Sequence, residues 1–300
     1  MSRKRSGRPI NGWLVLDKPA GLSSARALAR VLALTGAAKG GHGGTLDPLA
    51  TGVLPIALGE ATKTVGYVLG GVKRYCFTVL FGEARDTDDA AGTVTAISAV
   101  RPDPAAVAAA LAGFVGTLEQ RPPVFAAIKL HGERAYRIAR GGGDPALRPR
   151  PVRLDQAELL AMPAPDRAEI AIACGKGFYV RALARDLAQV LGTVGHVADL
   201  RRLSSGPFTL DQAISLERLE ALGHSPALAE HLMPVATALD DIPALPLSDA
   251  AARRLAQGQV VQVQGITDGP ARAVHAGRLV ALARVEGGQA RPVRVFNLEG

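Results

Sequence analysis

Residues 41–63, GHGGTLDPLATGVLPIALGEATK, place a single carboxylate, Asp47, in a glycine-rich turn between two apolar segments. The glycines let the backbone adopt positive φ values and approach a ligand closely, and Pro48 fixes the φ angle that follows the aspartate. The apolar run 53–58 predicts a buried strand that anchors the turn. Asp47 is therefore either a turn or helix-capping residue or a carboxylate presented for chemistry. The histidine and threonines of the same turn favour chemistry.

The composition indicates a globular protein with one large domain and a smaller one. The chain has 300 residues, which exceeds the usual size of a single domain, and 48% of them are apolar, which suffices for a sizeable core. No apolar run reaches membrane-spanning length, and no hydrophobic region follows the basic N-terminal residues as in a signal peptide. We therefore expect a cytoplasmic protein that does not bind membranes. Cys76 and Cys174 lie in separate apolar runs, which argues against a disulfide framework or a zinc site.

Positive charge is concentrated in one segment. The chain carries 35 Lys plus Arg against 27 Asp plus Glu, a net charge of +8. Residues 121–153 contain eight basic and two acidic side chains, a net charge of +6. Such an excess suits nucleic-acid phosphates, because neutralising them releases condensed counterions, although a solvated charged surface fits the charge equally well. The Arg-Pro-Pro start and the glycine run 141–143 predict an excursion from the sheet that is mobile until it is bound.

Strand and helix signals are mixed along the chain without strict alternation. Residues 75–81 alternate with period two, which predicts a strand covered on both faces. The predicted fold class is α+β with a mixed, largely antiparallel sheet. We predict strands at 13–16, 53–58, 75–81, 93–100, 152–162 and 168–174, and helices from the serines after Pro19 to about residue 34, at 103–118 and at 178–191.

A second change of composition lies at 234–246, where proline and aspartate interrupt the helical pattern. Beyond it, a short helix at 247–255 precedes alternating runs at 260–263, 278–285 and 291–298, which predict a small β-rich domain. The predicted domains therefore cover residues 10–235 and 245–300.

The aspartate segment resembles the signature of the TruB family, the tRNA pseudouridine synthases that isomerise uridine 55 of the tRNA T loop. Residues 45–52 distinguish it from other pseudouridine synthases, whose shorter motif has arginine and leucine before the aspartate. The resemblance is strong over about residues 10–215 and weak beyond them. It implies the pseudouridine synthase fold with a PUA-like C-terminal domain. Four further segments carry it in the same order, namely Asp17–Gly21, Lys73–Tyr75, Gly175–Arg181 and Leu200–Arg202.

The resemblance implies three catalytic residues. Asp47 is the carboxylate that attacks the nucleoside, at either the ribose or the base. Arg181 pairs with it and compensates its charge, which an apolar pocket would otherwise disfavour. Tyr75 packs against the target base and can take part in proton transfer. Without the resemblance, these would be a turn aspartate, a surface arginine and a core tyrosine.

Further residues are implied to bind the substrate. His42 fills the stack vacated by the extruded uridine, as base flipping requires, although a turn histidine is the alternative. Tyr179 and Leu200 form further walls of the pocket. The basic side chains expected to contact RNA are Lys129, Arg134, Arg137, Arg140, Arg148, Arg150, Arg153, Arg201 and Arg202.

We expect no cofactor and no metal. The isomerisation implied by the resemblance conserves all atoms, so it needs no redox equivalent or phosphate donor. The sequence contains no P-loop, no nucleophile-elbow serine and no metal-spaced His/Cys cluster. Residues 86–89 loosely resemble a calcium loop, but Ala90 stands at a ligand position and Ile97 replaces the terminal glutamate.

Three functional hypotheses remain. The first is a stand-alone, monomeric tRNA pseudouridine synthase that recognises the T arm by shape and needs no protein partner. The second is a related synthase that works through guide RNA and partner proteins, against which the basic segment 121–153 argues. The third is a non-catalytic tRNA-binding or tRNA-folding protein, against which the three catalytic residues argue. The chain departs from the family at Gly43 and at residues 125–127, which affects expected RNA contacts near the pocket but not the nucleophile.

Overall fold

The computed structural model describes residues 7–130 and 132–298, without the side chains of Lys129 and Arg134. Its strands form one large sheet, one smaller sheet and two isolated hairpins. The strands are β1 (Gly12–Lys18), β2 (Gly40–His42), β3 (Thr51–Leu58), β4 (Lys73–Phe81), β5 (Glu83–Arg85), β6 (Val94–Ile97), β7 (Gly116–Gln120), β8 (Lys129–Leu130), β9 (Glu133–Arg134), β10 (Arg150–Ala164), β11 (Arg167–Cys174), β12 (Gly195–Ser205), β13 (Phe208–Thr209), β14 (Ile214–Ser215), β15 (Ala244–Pro246), β16 (Val261–Gln262), β17 (Gly269–His275), β18 (Arg278–Glu286) and β19 (Gln289–Val295).

Two of the helices begin at side-chain caps where the sequence predicts helix starts. The Ser23 side chain accepts the N–H of Arg26, and the Asp103 side chain accepts that of Ala106. No helix in the described part of the chain is long and apolar enough to cross a membrane. The α-helices are α1 (Ser24–Thr35), α2 (Val65–Gly70), α3 (Pro104–Ala112), α4 (Ala135–Arg140), α5 (Val180–Val190), α6 (Leu216–Leu222) and α7 (Asp249–Ala256).

Ten strands form a mixed, largely antiparallel sheet, which confirms the predicted α+β class. Its main path runs β14-β1-β3-β12-β4-β11-β10-β7, with β2 beside β3 and β13 beside β12. Among these strands, β1 with β14 and β3 with β12 pair in parallel. Strand β3, which follows the Asp47 turn, therefore lies in the interior of the sheet between β1 and β12.

Both faces of the sheet are covered around β1 and β3. Leu14 and Leu54 pack in a cluster that also contains Leu183 of α5. Their neighbours Trp13 and Val53 point to the opposite face and join a second cluster, as the alternation of side chains along a strand requires. The Asp47 turn is thus attached to a strand that is buried on both sides.

A second sheet, ordered β15-β17-β18-β19-β16, forms the β-rich C-terminal part. It packs with α7 around a cluster that contains Leu255 and Val285. Leu282 and Phe296, however, belong to the same cluster as Trp13, so the two sheets share part of their core. The domain limits at residues 235 and 245, and the likeness to a PUA domain, stay predictions.

The predicted helix at 103–118 is wrong in its second half. Helix α3 ends at Ala112, and residues 116–120 form β7 at the edge of the large sheet, paired with β10. Gly116 has a φ angle of +117°, which a helix cannot accommodate. The alanine-rich composition concealed this change from helix to edge strand.

The predicted excursion at 121–153 is too long at its C-terminal end. Arg150 and Arg153 lie on β10, paired with β7 in the large sheet. Residues 121–149 leave the sheet and contain β8, β9 and α4, and a small buried cluster unites Ala126, Ala135 and Leu147. The segment therefore has some apolar packing of its own. Its mobility before RNA binding stays a prediction.

Candidate active site

Hydrogen bonds hold the backbone on both sides of Asp47. Ser24, the first residue of α1, accepts the N–H of Leu46 and donates to its carbonyl, both at 2.8 Å. The N–H of Ala50 donates to the Asp47 carbonyl at 3.1 Å. The Asp47 side chain remains 33% exposed, so the turn presents the carboxylate on a fixed backbone.

A buried lysine supports the turn from inside the protein. The Lys18 ammonium donates to the carbonyls of Pro19, Leu22 and Pro48 at 2.7, 2.8 and 3.3 Å, which uses its three protons. Burial lowers the pKa of Lys18 from 10.5 to about 8, although the negative charge of Asp47 partly raises it. Lys18 therefore places a buried cation directly under the Asp47 turn.

Arg202 also holds the turn. Its side chain is fully buried, since only 1% of the residue is exposed. Nε donates to the carbonyl of Val53 at 2.7 Å and Nη2 to that of Gly44 at 3.0 Å. Its positive charge also opposes the rise in the pKa of the Tyr75 phenol that burial causes. Arg202 is therefore a buried structural support of the turn, and its RNA contact stays a prediction.

Arg181 reaches Asp47 from the first turn of α5. Its Nε lies 2.9 Å from Oδ2 of Asp47, but this N–H is not aligned for a hydrogen bond, so the contact is an ion pair. Nη1 donates to the Thr87 carbonyl at 2.8 Å and Nη2 to the Phe125 carbonyl at 3.2 Å. These two bonds fix the plane of the guanidinium while it faces the carboxylate.

A second carboxylate, Asp89, shares the same arginine. Its Oδ2 lies 3.6 Å from Nη1 of Arg181, and its Oδ1 accepts the Thr87 hydroxyl at 2.6 Å and the Ala91 N–H at 3.0 Å. The Asp89 side chain is almost fully buried. Arg181 therefore lies between a partly exposed carboxylate that faces the cavity and a buried one behind it.

These groups border a cavity of about 300 Å³. Burial raises the pKa of the Tyr75 phenol, opposed by the charge and hydrogen bond of Arg202. Burial likewise raises the pKa of Tyr179, opposed by Arg150. Both phenols are therefore uncharged at neutral pH. The wall of the cavity includes Asp47, Tyr75, Tyr179, Arg181, Leu200 and Arg202.

Comparison with known proteins identifies the family. Residues 32–180 match the family model "TruB family pseudouridylate synthase (N terminal domain)", residues 181–240 match "tRNA pseudouridylate synthase B C-terminal domain", and residues 242–297 match "tRNA Pseudouridine synthase II, C terminal". The tRNA pseudouridine synthase B of Rhodospirillum rubrum is 53% identical over 263 residues, which cover 88% of this chain and 85% of the relative. The chain belongs to the TruB family of pseudouridine synthases.

Further comparisons agree with this membership. The tRNA pseudouridine synthase B of Bradyrhizobium diazoefficiens is 52% identical over 306 residues, covering 99% of this chain and 89% of the relative. A solved chain from an H/ACA RNP bound to a substrate RNA containing 2'-deoxyuridine aligns with a TM-score of 0.75 and 22% identity, covering 99% of this chain and 92% of that one. A chain from a Cbf5-Nop10-Gar1 complex aligns with a TM-score of 0.72 and 24% identity, covering 95% and 84%. At these identities the two structures show the fold alone.

Some residues of the TruB motifs border the cavity and others do not. Asp47, Tyr75, Tyr179, Arg181 and Leu200, which the sequence resemblance groups together, all border it, although they come from distant parts of the chain. Their individual roles stay predictions.

His42 and Arg201 lie apart from the cavity wall. His42 is on β2, opposite Ile56 of β3, two residues before a glycine that lines the cavity. Arg201 pairs with Asp17 at 2.8 Å and donates to the Thr51 hydroxyl at 3.3 Å, so its charge is already compensated. Base stacking by His42 and RNA binding by Arg201 stay predictions.

The other predicted RNA contacts follow the excursion and β10. Arg137, Arg140 and Arg148 are exposed on the excursion. On β10, Arg150 lies 5.3 Å from the centre of the Tyr179 ring, and Arg153 forms an ion pair with Asp155. The side chains of Lys129 and Arg134 lie outside the described part of the structure.

Two charged groups of the site, Lys18 and Asp89, were not predicted from the sequence. Residues 86–89 suggested only a loose resemblance to a calcium loop, and residues 17–21 a family motif without a role for the lysine. The available signal was the acidic cluster itself, because a buried carboxylate needs a cation nearby. Its partner Arg181 lies far away in sequence, so no local spacing linked the two.

Lys18→Met should destabilise the protein, and the effect should grow with pH. Removing the ammonium leaves three carbonyls without this donor, so we expect the free energy of unfolding to fall by about 2–4 kcal/mol at pH 7. Below pH 8 the native state bears the full desolvation cost of the charged lysine, and above its unfolded value of 10.5 this cost is absent. As the pH rises from about 8 towards 10.5, the free energy of unfolding of wild type should therefore increase relative to that of the variant, by up to about 1.4 kcal/mol per pH unit.

Urea unfolding of both proteins at pH 7, 8, 9 and 9.5 measures this difference. Taking the difference cancels groups common to both proteins, such as Cys174, whose pKa burial raises to about 12. A gap that is constant across these pH values would contradict the depressed pKa of Lys18.

Proposed function

We propose that the protein isomerises uridine 55 in the T loop of tRNA to pseudouridine, with Asp47 as the nucleophile. The observation that carries the proposal is the ion pair between Asp47 and Arg181, 2.9 Å apart, at a cavity bordered by two uncharged phenols. The bacterial relatives at 52% and 53% identity, both called tRNA pseudouridine synthase B, support tRNA as the substrate.

The proposed chemistry needs only groups that border the cavity. The Asp47 carboxylate attacks the nucleoside at the ribose or the base, the bond between ribose and N1 breaks, and the turned base rejoins the ribose through C5. The bond between Asp47 and the nucleoside also breaks, which releases the carboxylate unchanged. The proton lost from C5 balances the one gained at N1, so no cofactor or metal is consumed. Arg181 offsets the charge of the carboxylate before attack and after its release. Tyr75, uncharged at neutral pH, packs against the base and hydrogen-bonds during proton transfer.

Access to Asp47 requires the uridine to leave the folded loop. A base stacked inside RNA cannot reach a carboxylate at a cavity wall, so the target nucleotide is extruded into the cavity. We propose that His42, near the cavity on β2, takes the place of the extruded base. Tyr179 and Leu200 then hold the base within the cavity.

The substrate binds across the excursion and the adjoining end of β10. The exposed arginines at 137, 140 and 148 form a basic surface on the excursion, whose residues 127 and 128 line the cavity, and this surface contacts the phosphates of the T arm. A monomer that binds tRNA directly needs no guide RNA and no protein partner, and a tRNA-modifying enzyme of this kind works in the cytoplasm. A tRNA-folding role can coexist with catalysis, since it would use the same surface.

Replacing Arg137 and Arg148 by glutamine should weaken tRNA binding and reduce its salt dependence. If each arginine neutralises one phosphate, the slope of log affinity against log salt should fall by roughly one to two units. We leave Arg150 unchanged because it also contacts Tyr179. Binding measured from 50 to 300 mM salt decides the outcome.

Arg167→Gln is the matched control for this loss of charge. Arg167 is exposed at one end of β11, and Cys174 lies at the other end, next to the cavity. At ~3.3 Å per residue, the two ends of the strand are about 23 Å apart. We expect its salt slope to equal that of wild type. Equal slopes for all three proteins would mean that the charge of the excursion is only a solvated surface.

One assay tests the function as a whole. An unmodified tRNA transcript is incubated with the protein in EDTA without any cofactor, and pseudouridine is mapped by chemical labelling. We expect a single modified position, 55, and no product in a transcript that carries cytidine there. Modification at another position would contradict the T-loop assignment, and product only after adding another RNA or protein would favour a guided synthase.

A further inference from the structure

A buried glutamine holds the turn that carries Tyr179 and Arg181. Tyr179 is the N-cap residue of α5, where extended backbone gives way to helix, but its own side chain makes no capping bond. Its N–H donates to Oε1 of Gln120 at 2.8 Å, and Nε2 of Gln120 donates to its carbonyl at 3.1 Å. The carboxamide thus pairs with both backbone groups of one residue, as a neighbouring strand would.

We propose that Gln120 is a positioning residue for the isomerisation, because its amide sets where the 179–181 turn places the Arg181 guanidinium relative to Asp47. This inference rests on the proposed function, in which Asp47 attacks and Arg181 offsets its charge. Gln120 does not border the cavity, so it acts through Tyr179 and Arg181 and not on the substrate.

The surroundings of Gln120 show why this contact is firm. Only 1% of the residue is exposed, and it ends β7, directly opposite Arg150 on β10. Arg150 holds the same turn from the other side, with its guanidinium 5.3 Å from the centre of the Tyr179 ring and Nη2 3.3 Å from the Gly177 carbonyl. Two cross-strand neighbours at the edge of the large sheet therefore fix the backbone and the ring of Tyr179.

The position of Arg181 is sensitive to a small shift of this turn. Arg181 follows Tyr179 by two residues and meets Asp47 through a 2.9 Å contact without an aligned hydrogen bond. That contact has no directional bond of its own. The carbonyls of Thr87 and Phe125 hold the plane of the guanidinium at its far end, and the backbone of the 179–181 turn sets where the side chain starts, so both determine the Arg181–Asp47 geometry. A displacement of about 1 Å in a catalytic group can reduce a rate by about 100-fold.

Gln120→Met and Gln120→Glu test the proposal. Methionine has a similar length but neither donor nor acceptor. Glutamate keeps the acceptor for the Tyr179 N–H and donates to the Tyr179 carbonyl only when it is protonated, the form that burial favours. We expect the single-turnover rate constant on tRNA to fall by about 10- to 100-fold in Gln120→Met and by less in Gln120→Glu. The dissociation constant for tRNA should stay within about threefold of wild type, because the basic surface of the excursion is intact.

A control separates positioning from stability alone. Thr35→Val also removes a buried hydrogen bond, the 2.8 Å bond to the Val31 carbonyl at the end of α1, but lies outside the cavity wall. It should lose stability and keep the wild-type rate. All proteins are assayed at 10 °C, and the folded fraction of each is measured by circular dichroism. If Gln120→Met does not fold, the rate of Gln120→Glu is used to test the proposal.

The outcomes are distinct. A wild-type rate constant in a folded Gln120 variant, or a rate that falls only in proportion to the folded fraction, overturns the positioning role. An Asp47→Asn sample in the same series separates this failure from a failure of the proposed function. If Asp47→Asn is inactive and Gln120→Met has the wild-type rate, only the role of Gln120 is wrong. If Asp47→Asn is active, the assignment of Asp47 as the nucleophile is itself wrong.

Discussion

Asp47→Asn should abolish isomerisation while leaving tRNA binding near that of wild type. The amide keeps the shape of the carboxylate but is not a nucleophile, so we expect the single-turnover rate to fall by at least about 10⁴-fold. The backbone of the turn depends on Ser24, Lys18 and Arg202, none of which contacts the Asp47 side chain by a hydrogen bond. Binding and chemistry should therefore separate. Single-turnover formation of pseudouridine and a filter-binding titration measure the two quantities.

Asp47→Ala is the matching variant, because an asparagine can hydrolyse back to aspartate and leave a trace of active enzyme. We expect both variants to bind the transcript within about threefold of wild type. Residual turnover above about 1% in a verified Asp47→Ala preparation would exclude Asp47 as the nucleophile.

Arg181→Met should remove most activity and also destabilise the protein. Methionine leaves Asp47 and the buried Asp89 without their shared cation, so we expect a loss of about 100- to 1,000-fold in rate and about 3 kcal/mol in the free energy of unfolding. Arg181→Lys keeps the charge but not the planar fork that reaches the carbonyls of Thr87 and Phe125. Compared with Arg181→Met, Arg181→Lys should therefore recover more of the lost stability than of the lost activity. Single-turnover rates and urea unfolding test the two effects.

Arg185→Met provides the control on the same helix. Arg185 lies one turn later on α5 and pairs with Asp88 and Asp186, at 3.0 and 2.8 Å, outside the wall of the cavity. Its loss should reduce stability but leave the rate within about threefold. If Arg185→Met and Arg181→Met lose equal activity, the effect comes from the acidic turn they both bind and not from the charge beside Asp47.

Arg201 and Arg202 show that a sequence motif does not reveal which of its side chains are buried. They are adjacent, equally basic and part of the same resemblance, so the sequence predicted one role for both. Successive side chains on a strand point to opposite faces, and β12 directs Arg202 into the protein while Arg201 reaches Asp17 at the surface. Which face is buried depends on the neighbouring strands β3 and β4, and that information lies far from the motif in sequence.

The excursion shows that the sequence pattern also did not locate the boundary between a loop segment and a strand. Its charge and glycine content were visible in the sequence, but the point at which β10 begins was not. Arg150 and Arg153 belong to the sheet because β7 pairs with them, and β7 itself was hidden in an alanine-rich stretch read as helix. Edge strands of this kind are set by their partner more than by their own residues.

The sequence by itself determined the family, the α+β class, the nucleophile candidate and the buried strand that anchors its turn, because these depend on local patterns and on a long, specific motif. The resemblance also implied the pairing of Asp47 with Arg181, but tertiary structure alone decided which other polar groups meet around them. Lys18, Asp89, Gln120 and Arg202 contact the Asp47 turn, Arg181 or Tyr179 across long sequence separations, through hydrogen bonds and ion pairs in buried surroundings. Such pairings form only when sheet packing excludes water from both partners, and no periodicity or spacing along the chain encodes that.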